Sequence, residues 1–369
     1  MTSSPAGIPI DVGPASVVTP GAATVIQNSE VSITPPLTRV VGGVRYRFSR
    51  WADSTARVRA VVATSNVSLA ATYVPDGADS CASAGASATG VWITDRPSGN
   101  GDSDWFRFTL KAGHRMVLTA GDLPVNARLD LYSSCSVRLA TADANPDARY
   151  EELTRTVPAG TYRVKVSFPG GGRSDTPYVV RFRAMSSGLP VKSWRTTAGA
   201  GGGAVRIVGE ILNNTGSTVG RPTVKATFRN AGGSVVATLS AKAFAGRLGD
   251  GGVTPFAITG TVPTYASVSF SVSGGSLPSR RSLDLISLTR TTNGNGTVTE
   301  QGTVKNTGST TARSVAVART WYGPRGEVLD RGSAVASPST LGPGKSGSFT
   351  IVRPVLPSVQ GTRTALRAS

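Results

Sequence analysis

The sequence predicts an all-β chain of four small β-sandwich domains in tandem. Three observations lead there: a turn-rich composition with 44 Gly and 23 Pro, short runs in which apolar residues alternate with a period of two, and a second half that repeats itself at a spacing of 92 to 93 residues. Gly and Pro punctuate strands and are costly inside helices, whereas Val and Thr suit a pleated backbone. No amphipathic helical pattern of useful length is present. At 369 residues the chain is too long for one ordinary β-domain, so several small cores are expected. A hydrophobic content of 39% can fill them and sets the chain apart from disordered sequences.

The first unit spans residues 3–74. Its β-rich runs are Ile8–Val12, Ala23–Ile26, Val31–Ile33, Val44–Phe48 and Leu69–Tyr73, separated by Pro and Gly breaks. Val44, Tyr46 and Phe48 share a face by alternation, and Trp51 follows. The residues Gly43, Tyr46, Phe48, Trp51 and Asp53, with the closing Ala-Thr-Tyr, resemble a small β-domain found beside catalytic or sugar-binding domains of secreted actinobacterial proteins. That resemblance implies a hairpin strand at Tyr46–Trp51 and a last strand at Tyr73, with Phe48 and Trp51 in the core.

The second unit spans residues 81–185. Its landmarks are Asp102-Ser-Asp-Trp-Phe-Arg-Phe108, Ala112-Gly113, Leu129-Asp-Leu-Tyr132, Pro158-Ala-Gly-Thr-Tyr-Arg-Val-Lys-Val166 and Tyr178-Val-Val-Arg-Phe182. Pro158 to Thr161 reads as a turn feeding a strand whose Tyr162, Val164 and Val166 point one way. The order of these motifs resembles the bacterial pre-peptidase C-terminal (PPC) domain, a jelly-roll-like sandwich attached to secreted peptidases and other exported enzymes. The resemblance places Trp105, Phe106 and Tyr162 in the sandwich; Trp92 is likewise assigned to the core. Some relatives bind calcium near the N-terminal linker, which makes Asp76, Asp79, Asp102 and Asp104 candidate Ca²⁺ ligands. Asp102 and Asp104 read equally as turn-forming residues ahead of a strand.

Both cysteines, Cys81 and Cys135, fall in this unit. An oxidising compartment lets them pair, and closing so long a loop stabilises a domain by roughly 3–5 kcal/mol in the chain-entropy picture. Two buried thiols are the other reading. A zinc site is excluded, because the chain has one histidine and no CxxC spacing.

The third and fourth units span residues 189–275 and 282–358. Gly209-Glu-Ile-Leu-Asn-Asn-Thr-Gly-Ser-Thr218 returns as Gly302-Thr-Val-Lys-Asn-Thr-Gly-Ser-Thr310, and Leu248-Gly-Asp-Gly with Phe256 returns as Leu341-Gly-Pro-Gly with Phe349. Thr227-Phe228 corresponds to Thr320-Trp321. Each copy reads as a seven-stranded sandwich, with Asn and Gly in the Asn-Thr-Gly turn supplying tolerance of positive φ. The pattern G-x-(I/V)-x-N, (F/W)-x-x-x-x-G-x-V and L-G-x-G resembles the FxLYD-type immunoglobulin-like modules of exported bacterial proteins. In that family the modules are interaction or spacer units.

Charge is uneven. The formal net charge is +18, and from Met185 onward basic residues outnumber acidic ones by 20 to 6. Such an excess holds a chain near anionic cell-wall polymers, acidic polysaccharide or a membrane surface; it also serves solubility, and 32 of the 39 basic residues are Arg. Specific nucleic-acid binding lacks support, since there is no zinc-finger spacing, basic helix or aromatic-studded strand. No apolar run is long enough for a transmembrane helix. The N-terminus carries no signal-peptide pattern, although the rest reads as exported, so the chain is expected to be a C-terminal piece of a longer secreted protein or to start elsewhere.

Catalysis finds no foothold. A hydrolase triad requires His114, which follows Ala112-Gly113 without an orienting partner, and no nucleophile elbow, P-loop or dinucleotide fingerprint occurs; the glycine run 199–204 opens no helix. The expectation is therefore a non-catalytic extracellular accessory or surface-binding protein that attaches to, or spaces from, a polysaccharide, cell-wall or protein polymer. The alternative is the accessory tail of a secreted sugar dehydrogenase or peptidase. If carbohydrate is the ligand, Trp194, Trp321 and Tyr322 are the candidate contact aromatics, because ring faces stack on sugars at low entropic cost. No cofactor is expected beyond Ca²⁺.

Overall fold

The computed structural model describes residues 1–42, 44–75, 80–97, 103–143, 150–169, 174, 176–196 and 202–369. Every regular element among them is a β-strand. The chain divides into two compact units, Met1–Arg183 and Ala184–Ser369.

Two apolar cores form in the first unit. One gathers Ile8, Ile10, Ile33, Phe48, Trp51 and Tyr73. Its sheets run Thr2–Ser4, Ala70–Pro75, Val44–Trp51, Thr38–Val41 in one order and Ala15–Val18, Pro9–Val12, Glu30–Thr34, Arg59–Val62 in the other. Simple alternation would send Phe48 and Trp51 to opposite faces. A register shift between Phe48 and Arg50 inserts the extra residue that turns both inward, and the rings meet at 5.6 Å. The Trp51 indole then donates to the Arg57 carbonyl, so its polar atom is satisfied on burial. Gly43 lies outside the described residues.

The other core is larger and is enclosed by a four-stranded and a five-stranded sheet. The first runs Trp92–Asp95, Tyr178–Met185, His114–Gly121, Glu151–Val157; the second runs Arg138–Ala142, Arg128–Tyr132, Gly160–Ser167, Ser103–Leu110, Gly85–Ala86. Phe106, Phe108, Tyr162, Tyr178 and Phe182 fill the space between them. Tyr162 reaches back to donate to the Pro158 carbonyl at 2.9 Å, which pins the turn that launches its own strand. Cys81 and Cys135 form a disulfide, so the two-thiol reading falls. Trp105 is buried, but on the strand face opposite Phe106, against Tyr132 and Lys165, and Trp92 corrects its assignment to the core. On the Trp92–Asp95 strand it is Ile93 and Asp95 that face inward, leaving Trp92 half-exposed beneath the Arg181 guanidinium, 4.1 Å from the ring centre.

The second unit contains the repeat, and its two copies share one buried asparagine clamp. In the first, Asn213 is fully buried and its amide donates to the Ser217 and Leu248 carbonyls at 2.7 and 2.8 Å. In the second, Asn306 is fully buried and donates to the Thr310 and Leu341 carbonyls at 2.9 and 2.8 Å. The Asn213 side-chain oxygen accepts from the Thr215 amide, as that of Asn306 does from Gly308. The left-handed backbone expected of Asn is absent at both positions; the side chain acts as a clamp instead. Positive φ appears, as expected of glycine, at Gly216 in the first Asn-Thr-Gly turn, and also at Gly251 and Gly344, where the L-G-x-G turn closes on the clamp through amides donated to the Asn213 and Asn306 carbonyls.

Each copy wraps its core in two sheets. The first copy has Val191–Thr196, Gly203–Leu212, Val253–Val262 against Val235–Lys242, Val219–Arg229, with Arg247–Leu248 and Ser267–Gly275 also paired to Val219–Arg229. The second has Leu283–Thr292, Thr297–Asn306, Ser346–Pro354 against Val328–Val335, Ala316–Tyr322, Gly361–Arg367. A bridge between Ala312 and Leu341 stands where the first copy pairs Val219 with Leu248. The final strand, Gly361–Arg367, lies beyond the boundary expected at residue 358.

The motif glycines are explained by close approach. A Cβ on Gly302 would sit 2.3 Å from the Ser287 carbonyl oxygen and 2.8 Å from the Phe349 ring, and one on Gly209 would meet Ser193 and Phe256 in the same way. Gly302→Ala is expected to destabilise the second unit by about 2–4 kcal/mol through overpacking against backbone. Urea denaturation followed by hydrogen exchange of the segments from 282 onward measures it; an unchanged midpoint would refute the packing argument.

Candidate functional site

The chemistry-bearing side chains are mostly absorbed into structure. Asp104 is buried and accepts from the Tyr178 hydroxyl at 2.7 Å, so it faces the sandwich interior. Asp76, Asp79 and Asp102 lie outside the described residues. Asp130 is fully buried and paired with Arg128 and Arg138. His114 begins its strand across from Val157. Among the described residues no group of three His, Cys, Asp or Glu side chains could hold a metal ion.

Of the three aromatics expected to contact a ligand, one remains at the surface. Trp194 is 41% exposed and meets Phe270 edge to face at 5.1 Å on the open side of its sandwich. Trp321 and Tyr322 are corrected: they are 0% and 2% exposed. Alternation puts only one of two successive residues inside a sandwich, but the strand Ala316–Tyr322 is buried at every position. Trp321 enters its own core and donates its indole N–H to Glu300 at 2.9 Å, beside an Arg319 to Glu300 pair at 2.8 Å. Tyr322 points the other way, into the first copy, where its hydroxyl bonds to Glu210.

That contact belongs to a junction between the two copies. Glu210 is fully buried and lies 3.7 Å from the Lys192 ammonium and 3.5 Å from the Arg363 guanidinium. Arg206 forks across to the Asp330 carboxylate at 2.5 Å and the Arg331 carbonyl at 2.7 Å. The Val328 amide donates to the Ser193 hydroxyl at 3.1 Å. Phe244 of the first copy inserts against Ala316, Ala318 and Ala365 of the second. The Arg331 and Arg367 guanidiniums lie 5.3 and 5.1 Å from its ring centre. Breaking one member of a buried charge set is costly because the partner is left unpaired, so this network fixes how the copies meet.

The electrostatic outcome is a surplus of cations. Burial first, then repulsion from Arg206, Arg367 and Arg221, pushes the Arg331 guanidinium down to about 10. Burial and Arg221 lower Arg367 as well. Two of the six acids from Met185 onward, Glu210 and Glu300, are buried, leaving Asp250, Asp284, Glu327 and Asp330 outside the cores. Of the twenty basic residues only Lys192, Arg319 and Arg353 are buried. The accessible surface is thus more one-sided than the composition of the segment.

No family model matches the chain, and no curated protein does. Among solved structures it is similar to the pre-peptidase C-terminal domain of a collagenase from Bacillus anthracis, at 16% identity and a TM-score of 0.23, covering 27% of this chain and 94% of that one. It is also similar to an exo-chitosanase of Amycolatopsis orientalis, at 11% identity and 0.30, over 54% of this chain and 27% of that one. A β-glycosidase from Bacteroides vulgatus matches at 10% identity and 0.25, over 65% and 33%. The chain spans about a quarter to a third of the length of those two glycosidases.

Sequence reasoning missed the junction. One signal was present: Ala316-Val-Ala-Arg-Thr-Trp-Tyr322 lacks the polar alternation of a half-exposed strand, which marks a strand covered on both faces. Lys192 and Glu210 carry no comparable mark.

Proposed function

We propose that this chain is a non-catalytic, exported accessory protein whose second unit holds to an anionic surface polymer. The first unit acts as a disulfide-braced sandwich appendage and the two immunoglobulin-like copies as a basic binding and spacing element. The observation that supports this reading is the charge of the second unit: twenty basic residues against six acids, with two of those acids turned into cores. Such a surface attracts polyanions at long range and releases them as salt screens the field. The disulfide suits an oxidising compartment.

The test is retention of the purified chain on peptidoglycan bearing its anionic polymers, and on cellulose, chitin and collagen, across a salt series. Retention on the anionic wall is expected at roughly 20 mM salt and to be lost by about 0.5 M, where the screening length is a few ångströms. No retention on any polymer at the lowest salt would sink the reading.

A further inference from the structure

At the edge of the junction, Gly246-Arg247, the connecting segment Pro278–Arg281 with Leu283, and Leu366-Arg367-Ala368 close around a recess of about 130 Å³. Three of its lining side chains are guanidiniums, those of Arg247, Arg281 and Arg367, and none is a carboxylate. Their positions are set by main-chain oxygens and an aromatic ring. Arg247 donates to the Pro278 carbonyl at 2.7 Å. Arg281 donates to the Arg280 carbonyl at 3.3 Å and to an oxygen of the Ser369 terminal carboxylate at 3.4 Å. Arg367 lies over Phe244. The cluster is therefore assembled before any ligand arrives; Arg221 repels Arg367, and Arg206, Arg221 and Arg367 repel Arg331, while Asp330 and the terminal carboxylate offset only part of the charge. Like charges converging on a small concavity are an arrangement that an anion relieves, and planar guanidinium forks match the paired oxygens of phosphate and sulfate.

We propose that the recess lined by Arg247, Arg281 and Arg367 is a binding site for one tetrahedral oxyanion, the phosphate or sulfate group of an anionic polymer. This rests on the polymer-binding reading and names the chemical group that the basic unit recognises. The copies would together form the site, since Arg247 belongs to the first and Arg367 to the second.

The experiment is titration of the intact chain with inorganic phosphate and with sulfate, followed calorimetrically at ionic strength held constant with chloride. Saturable binding of phosphate or sulfate is expected, with acetate weaker. Arg247→Gln and Arg367→Gln are each expected to weaken it by about tenfold or more, as loss of one charge-assisted fork does. Arg367 also contacts Phe244, so Arg247→Gln, on an exposed side chain, serves as the variant that leaves the junction intact. Lys225→Gln removes the same charge from an exposed strand position and is expected to change little. Equal heats with phosphate and chloride, or equal losses in Lys225→Gln and Arg247→Gln, would overturn the site. The polymer assay separates the two readings: undiminished wall retention in Arg247→Gln refutes the site and spares the polymer reading, whereas phosphate binding without wall retention does the reverse.

Discussion

Replacing Cys81 and Cys135 by serine is expected to lower the stability of their sandwich by about 3–5 kcal/mol, the loop-closure entropy released to the unfolded chain. The bond joins residues 54 apart, from the segment entering the sandwich to the turn after Arg128–Tyr132. That loop contains the strands Ser103–Leu110 and His114–Gly121, which the unfolded chain can no longer place at random. The chain has no other cysteine, so reduction acts on this bond alone. Hydrogen exchange read by mass spectrometry distinguishes the sandwiches: protection should fall across 103–185 on reduction and stay unchanged beyond 202. A reduced protein with the same exchange and the same urea midpoint would refute the effect.

Removing the repeated clamp is expected to be nearly as damaging. Asn306→Ala strips one donor from the buried Leu341 carbonyl, which keeps the Ala312 amide, and removes the side-chain partners of the Thr310 carbonyl and the Gly308 amide, at about 2–4 kcal/mol in all. Asn213→Ala should cost the first copy a similar amount, since it severs the corresponding bonds to Leu248, Ser217 and Thr215. Asn306→Asp separates donation from shape. Its carboxylate keeps the acceptor for Gly308 but faces two carbonyl oxygens, so burial and repulsion would raise its pKa above the unfolded value near 4. A raised carboxyl favours folding when protonated, so the deficit of Asn306→Asp should shrink as pH falls toward 4 and widen as it rises through the folded pKa. Equilibrium unfolding at several pH values measures this; a deficit independent of pH would refute the donor role.

Much of the fold was legible because its signals are local. Alternation located most strands, the Pro158 to Thr161 turn announced the strand of Tyr162, and the 93-residue spacing carried over to bonds made by Asn213 and Asn306. The errors over aromatics share a cause: each concerns what lies on the far side of a strand. Trp321 and Tyr322 looked available because a small sandwich normally shows one face to solvent, and only a second module packed on that face hides them. Trp92 looked internal because large aromatics usually are, while its neighbour Ile93 took the inward position. The clamp was read as a backbone preference because an Asn-Thr-Gly string advertises a turn and is silent about where an amide points. The arginine recess draws its members from positions 247, 281 and 367, and no local pattern joins them.

Trp321 and Tyr322, neighbours on one strand, anchor opposite things: the interior of their own module and the body of the one before it. Sliding that strand by a single residue would exchange the two rings and disrupt both anchors at once. Under tension, the pair of modules would therefore resist as one mechanical element. Extension would come in a single long step, where two beads on a string would give two short ones.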